Sequence, residues 1–204
     1  MSSVIAIIDY GTGNLRSVQK ALERVGAKTC ITDKPDVILA AEKVVLPGVG
    51  AITPAMQRLE DLNLVSPIKT FIKSGKPFLG ICLGLQLLFE QSEEGGDIPT
   101  LSILPGKVTR FTTLKVPHMG WNDITLTKPN CPILQGINPV TNFYFCHSFY
   151  VAPSQSEIVA TQTHYGRAFT SSVWKDNLFA VQFHPEKSQE AGLTILKNFC
   201  LLKP

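Results

Sequence analysis

The sequence carries little excess charge. Its 19 basic and 16 acidic residues leave a formal +3 over 204 positions, and the lysines and arginines are scattered. That removes the clustered basic face on which nucleic-acid binding rests. Long apolar runs are missing as well: nothing approaches the roughly 18 uninterrupted apolar residues that a membrane span needs. Met1–Asp9 has neither a basic leader nor a small-residue cleavage site, which reads as a cytoplasmic chain. The five cysteines, Cys30, Cys82, Cys131, Cys146 and Cys200, are irregularly spaced and contain no CxxC pair. Neither a disulfide framework nor a metal finger is expected, and free thiols in a reducing compartment are. No repeat, low-complexity tract or linker divides the chain, so residues 1–204 read as one domain.

What remains is an ordinary globular composition, 44% hydrophobic and 17% charged. Val4–Ile8 is a continuous β-branched run suited to a parallel strand buried on both faces. A glycine-containing turn at 9–14 and a helical pattern over 15–25, stopped by Gly26, follow it. The Gly11-x-Gly13 pair lacks the third glycine of a dinucleotide-binding loop, because Arg16 occupies that place, so a plain strand-to-helix turn is favoured. Strands are expected at 27–31, 43–46 and 77–81, with helices at 54–62 and 65–74. This alternation predicts an α/β fold with a mainly parallel sheet flanked by helices. Beyond Glu90 the pattern changes to short β pieces at 106–111, 122–127, 142–146, 157–163, 168–174 and 178–183, then a helix over 189–202. These add antiparallel strands and make the sheet mixed.

One stretch points to chemistry. Pro77–Glu90 opens as a strand and continues as a helix-length apolar segment, with Gly80-Ile81-Cys82-Leu83-Gly84 at the join. A nucleophile elbow has this form, with glycines where the sharp turn leaves no room for side chains. A cysteine at a helix start is also favoured as thiolate. Cys82 on its own reads sooner as a buried, inert thiol, and the paired glycines bring the two readings level. A base and an orienting group decide between the two. His184 ends an apolar strand and precedes Pro185-Glu186; on an extended path, residues two apart face the same side, so Glu186 can hold the ring while the ring serves Cys82. An oxyanion hole needs backbone donors. The Leu83 amide is one by elbow geometry. The Pro47-Gly48-Val49-Gly50 break after another strand is a candidate for the second. Gln86, one helical turn beyond Cys82, is placed to bind a polar substrate group.

These pieces together resemble the class I, triad-type glutamine amidotransferases. The match is Pro47–Gly50 for the oxyanion segment (Gly48, Val49 and Gly50 with Leu83), Gly80–Gln86 for the elbow, and His184-Pro185-Glu186 for the rest of the triad. Asp9–Leu15, Val116–Asn122, Tyr144–Phe149 and Gln182–Ser188 are further similar to the glutaminase subunits of imidazole glycerol phosphate synthases; Phe149 stands where tyrosine is common there. The resemblance implies a flavodoxin-like, α/β-hydrolase-like single domain that uses no cofactor or metal. L-glutamine would bind near Gly50, Gln86, His147 and Ser148. Cys82 would form a glutamyl thioester, with His184 passing its proton to the leaving ammonia and Glu186 steadying the ring. The ammonia would pass to a (βα)8-barrel cyclase, bound as a heterodimer across a rim of Tyr10, Asn14, Met119, Trp121, Tyr144 and Lys187. The pair would make imidazole glycerol phosphate and aminoimidazole carboxamide ribotide in histidine biosynthesis. A glutaminase serving another synthase, a non-catalytic interaction protein and a cysteine peptidase are the competing readings. Glycine beside the Gly48–Val49 peptide makes its reorientation cheap, so the second oxyanion donor is expected to be switchable.

Overall fold

The computed structural model describes residues 4–11 and 13–203. Met1–Ser3, Thr12 and Pro204, which the readings of the amino terminus, the 9–14 turn and the 1–204 domain include, lie outside the described residues. The amino-terminal half alternates as expected: β1 (Val4–Ile8), α1 (Leu15–Arg24), β2 (Lys28–Thr32), α2 (Pro35–Ala40), β3 (Lys43–Gly48), α3 (Ile52–Asp61), α4 (Val65–Lys73), β4 (Phe78–Cys82) and α5 (Leu83–Gln86). Gly26 closes α1 in the left-handed region at φ +91°. The second half supplies β5 (Gln91–Ser92), β6 (Ile98–Pro99), β7 (Gly106–Arg110), β8 (His118–Asp123), β9 (Thr125–Leu126), β10 (Asn142–His147), β11 (Phe149–Pro153), β12 (Val159–His164), β13 (Ala168–Lys175), β14 (Leu178–Val181) and α6 (Gln189–Leu201).

The main sheet runs β2-β1-β3-β4-β14-β13-β11-β7-β5-β6. Its first five strands are mutually parallel, and β13, β11 and β7 continue it antiparallel. β12 pairs with β13 and β9, while β8 and β10 form a separate antiparallel ribbon. Every residue of β3, β4 and β14 is buried, the condition that the continuous apolar runs predict. Apolar clusters fill both faces, one around Phe71, Phe78 and Phe89, the other around Phe111, Phe145, Phe183 and Phe199.

Four readings need correction. The helix after Cys82 is a single turn, because the carbonyls of Leu87, Leu88 and Phe89 accept from Leu101, Leu104 and Ser102 rather than continuing the ladder. Leu87, Leu88 and Phe89 are all fully buried, so this apolar run is an interior crossing and not one face of a helix. The strand expected at 122–127 begins earlier, at His118, because its partner across the ribbon is β10, with His118 opposite His147. β11 and α2 were not anticipated; α2 starts at Pro35, whose missing N–H costs nothing at a helix start.

Glycines set the closest packing at the elbow. A Cβ on Gly84 would lie 1.9 Å from the Leu46 carbonyl oxygen, and one on Gly80 would lie 2.8 Å from the Gly84 oxygen. These are backbone atoms that cannot swing aside. Gly26 has nothing within 4 Å and needs glycine only for its φ. Gly84→Ala is therefore expected to cost at least about 1–3 kcal/mol of strain, and Gly26→Ala about 1 kcal/mol, read from urea denaturation midpoints. Equal losses would show that β3 and α5 can separate without cost.

Candidate active site

Gly48 pairs with Cys82, and Ile81 with Val181. The ends of β3 and β4 and the segment after β14 therefore meet at one edge of the sheet, the carboxyl edge where open α/β sheets place ligands. A cavity of about 270 Å³ opens there, with Val49, Gly50, Cys82, Leu83, Gln86, Glu94, Cys146, His147, Ser148 and His184 among its lining.

Cys82 takes φ 53° and ψ −106° between the last strand residue and the single turn of α5. A non-glycine residue in that region costs on the order of 1–3 kcal/mol, and persists only where its surroundings fix it. Here the fixing is the close approach of Gly84 to β3. His184 has its Nδ1 2.8 Å from Glu186 Oε1, and the two side chains are 3% and 1% exposed. Donating Nδ1–H to the carboxylate leaves Nε2 to serve Cys82. Burial disfavours the charged ring, but the neighbouring Cys82 and Glu186 outweigh it and push its pKa up to about 10.

The path through this corner is not the extended one that spacing suggested. Pro185–Lys187 forms a 3₁₀ turn, and Glu186 reaches the ring through that turn. Ser188 pins the corner to β10: its Oγ donates to the His184 carbonyl at 2.7 Å and accepts from the Tyr144 amide at 2.9 Å. The His184 amide in turn donates to the Tyr144 carbonyl at 2.9 Å. Gly192 lets α6 press on this turn, since a Cβ there would sit 1.9 Å from the Pro185 oxygen.

Gly48 is buried as the last residue of β3, while Val49 and Gly50 are exposed at the cavity. Glu94 accepts from the Ile52 amide at 2.9 Å and so ties this segment to the loop after β5. Gln86 is 4% exposed. Its Nε2 donates to the Phe149 carbonyl at 2.9 Å and to Gln182 Oε1 at 3.1 Å, and Gln182 Nε2 lies 3.7 Å from Cys82 Sγ. Both ring nitrogens of His147 are engaged, Nδ1 with the Phe149 carbonyl at 2.7 Å and Nε2 with His118 Nδ1 at 2.9 Å. Ser148 is half-buried at the cavity wall. Desolvation pushes His147 down to about 3, assisted by the charges of His118 and His184 against the Phe149 hydrogen bond, and desolvation pushes His118 down to about 4.

The rim residues divide. Met119 is 61% and Trp121 49% exposed on β8. Trp121 packs edge-on against Tyr144, over whose ring Lys187 Nζ sits at 5.6 Å. Asn14 is half-buried at the start of α1. Tyr10 is a correction: it is fully buried, its hydroxyl packed where a Gly48 Cβ would come within 2.2 Å, so it supports the Gly48–Gly50 segment from inside. Glu94, Ser188, Cys146 and Gln182 were not singled out from sequence. Gln182 had a signal, a polar residue within an apolar strand end; the Glu94 contact spans 42 residues of chain and had none. Among the described residues no group of three or more His, Cys, Asp or Glu could hold a metal ion, and no helix is long and apolar enough to cross a membrane.

Residues 6–202 match the family model for class I glutamine amidotransferases. The imidazole glycerol phosphate synthase subunit HisH of Syntrophotalea carbinolica is 53% identical, the match covering 96% of this chain and 98% of that protein. The HisH of Geobacter metallireducens is 52% identical, over 98% and 99%. The solved structure of PurLQS from Thermotoga maritima superposes with a TM-score of 0.76 at 19% identity, covering 98% of each chain.

The raised His184 pKa has a definite sign in stability. A ring titrating near 10 when folded and near 6.5 when free contributes stability that is complete below about 6.5 and lost as pH rises through about 10. Glu186→Gln removes one charge holding that proton. Urea midpoints of wild type and variant are expected to differ most at the acid end of this window and to converge at its alkaline end. A difference independent of pH would contradict a charged His184.

Proposed function

The chain belongs to the class I glutamine amidotransferases and, within them, to the HisH subunits of imidazole glycerol phosphate synthase, and from that membership we propose how its residues divide the work. It is the glutaminase subunit of that synthase, in histidine biosynthesis, and works with a cyclase subunit. The observation that carries the assignment of roles is the convergence of Cys82 and His184 on one cavity at the carboxyl ends of two adjacent parallel strands, with Glu186 holding the His184 ring from outside the cavity.

L-glutamine occupies that cavity. The Glu94 carboxylate on its wall suits the substrate's ammonium group, and Gln86, Gly50 and the His147-Ser148 segment form the rest of the binding surface. The Cys82 sulfur attacks the side-chain carboxamide as thiolate, its proton held on His184. The developing oxyanion is met by the Leu83 amide and by an amide of the Gly48-Val49-Gly50 segment. His184 Nε2–H then protonates the leaving nitrogen, and ammonia departs with a glutamyl thioester on Cys82. Water, deprotonated by the now neutral ring, hydrolyses the thioester to glutamate and restores the starting state. Glu186 keeps the ring oriented throughout and offsets its charge. A cavity of about 270 Å³ suits a single amino acid better than a peptide chain, which favours an amidotransferase over a cysteine peptidase.

The partner is a (βα)8-barrel cyclase bound as a heterodimer, which joins the ammonia to its nucleotide substrate to give imidazole glycerol phosphate and aminoimidazole carboxamide ribotide. Met119 and Trp121, large apolar side chains exposed beside Lys187, Tyr144 and Asn14, suit the docking face. Residues 1–204 act as one cytoplasmic domain without a cofactor.

In the reconstituted synthase, Cys82→Ala is expected to abolish synthesis from glutamine and leave synthesis from ammonium salts intact. Loss of both, or of neither, would overturn the assignment. Val49→Pro deletes one amide donor and is expected to lower glutamine turnover by about 10²–10³-fold. Undiminished glutamine turnover by that variant in the reconstituted synthase would exclude the Val49 N–H from the oxyanion hole.

A further inference from the structure

A chain of hydrogen bonds runs from the half-buried Asn122 on β8 inward to the catalytic sulfur, and its direction is fixed by its ends. The carbonyls of His164 and Phe149 can only accept. Asn122 therefore turns its Nδ2 to the His164 carbonyl, at 3.0 Å, and the same amide nitrogen lies 3.2 Å from His118 Nε2. Its Oδ1 is taken by the Asp123 amide at 2.9 Å, which settles the amide's orientation from the other side. His118 Nε2 is then an acceptor, so its ring proton sits on Nδ1 and is donated to His147 Nε2 at 2.9 Å. His147 must in turn carry its proton on Nδ1, where the Phe149 carbonyl accepts it at 2.7 Å. Working back from Phe149 gives the same two tautomers as working forward from Asn122. His118 is also clamped face-on between Tyr165, at 4.1 Å, and Phe145, at 4.9 Å, so the ring cannot turn over freely.

The Phe149 carbonyl is a junction. It also accepts from Gln86 Nε2 at 2.9 Å, and the second hydrogen on that nitrogen goes to Gln182 Oε1 at 3.1 Å. Both donors of Gln86 are thus used inside the protein, and its Oε1 is the atom left for the cavity. Gln182, fully buried, has its carbonyl oxygen committed to Gln86 and so turns its Nε2 to Cys82 Sγ, at 3.7 Å.

We propose that Asn122, His118, His147 and Gln182 are positioning residues: one directional relay that makes Gln86 present an acceptor to the N–H groups of glutamine and Gln182 present a donor to the Cys82 sulfur. The inference rests on the glutaminase reading given above. A reversed tautomer or an added proton on either ring would set two donors against each other. The strand carrying Phe149 would then lose its hold on Gln86, and the substrate and the sulfur would lose their fixed partners together. The relay starts one residue from Trp121, on the exposed face of β8.

Two measurements test it. Two-bond 1H–15N spectra of the full chain at neutral pH are expected to show both His118 and His147 neutral with the proton on Nδ1. An Nε2 proton or an imidazolium on either ring overturns the proposal, without recourse to any variant. In the reconstituted synthase, His118→Phe keeps the stacked ring but removes the donor to His147. It is expected to raise KM for glutamine and lower kcat/KM by about 10–100-fold, the worth of a buried hydrogen bond left unmade, with ammonium-dependent synthesis unchanged. Gln182→Met is expected to lower kcat chiefly, and the double variant to lose less than the product of the two single losses, because both act through one chain. Multiplicative losses, or an unchanged KM in His118→Phe, would show the relay to be packing alone. Wild-type synthase that releases no glutamate from glutamine would refute the glutaminase reading instead, and the tautomer spectra would still stand or fall independently.

Discussion

The contact between Gly84 and the Leu46 carbonyl oxygen is the constraint from which the site follows. A Cβ at Gly84 would come within 1.9 Å of that oxygen, so the chain leaving β4 lies directly on the backbone of β3. To reach that position it must turn within one residue, and Cys82 absorbs the turn at φ 53°. Its sulfur is thereby delivered to the carboxyl edge of the sheet. Parallel pairing does the rest: Gly48 lies beside Cys82 on one flank, and β14 carries its chain to His184 on the other. Cys82, the Gly48–Gly50 segment and His184 are thus brought together by strand register, and only Glu186 depends on a local turn.

Buried histidines in this one protein take opposite electrostatic roles, and their partners decide which. His184 faces a carboxylate and a thiol, both able to carry negative charge, and is held as a proton donor. His118 and His147 face an amide, each other and a carbonyl, none of which carries a negative charge, and burial keeps them neutral. A neutral imidazole with its tautomer dictated from both sides is a rigid spacer with one donor end and one acceptor end. That suits orientation of amide side chains, and no proton has to move along it.

The amino-terminal α/β half was legible because buried parallel strands read as unbroken β-branched runs and the turns between them carry glycine. Cys82, His184 and Glu186 were legible because each sits within a local pattern, a glycine-flanked elbow or a strand-ending His-Pro-Glu. The single turn of α5 was hidden, since the carbonyls just beyond it, on Leu87–Phe89, are captured by residues 101–104, a tertiary effect that apolar composition does not record. Tyr10 was misread for the same kind of reason: a tyrosine in a glycine-rich turn looks exposed, and only packing against Gly48 shows it to be internal. The links of Glu94 to Ile52 and of Gln86 to Gln182 join residues 42 and 96 positions apart, and no local spacing predicts them. Ser188 was quoted within a motif, but its clamp on Tyr144 depends on β10 lying beside the 3₁₀ turn.

In the mechanism proposed above, the strained turn presents Cys82, and not its cavity neighbour Cys146, to the carboxamide of glutamine. Rapid-quench mass spectrometry of the reconstituted synthase with glutamine, followed by peptide mapping, tests it most directly. The account predicts a glutamyl thioester that forms and decays during turnover, carried by the peptide containing Cys82. An adduct on Cys146, or turnover with no acyl-enzyme on either cysteine, would contradict it.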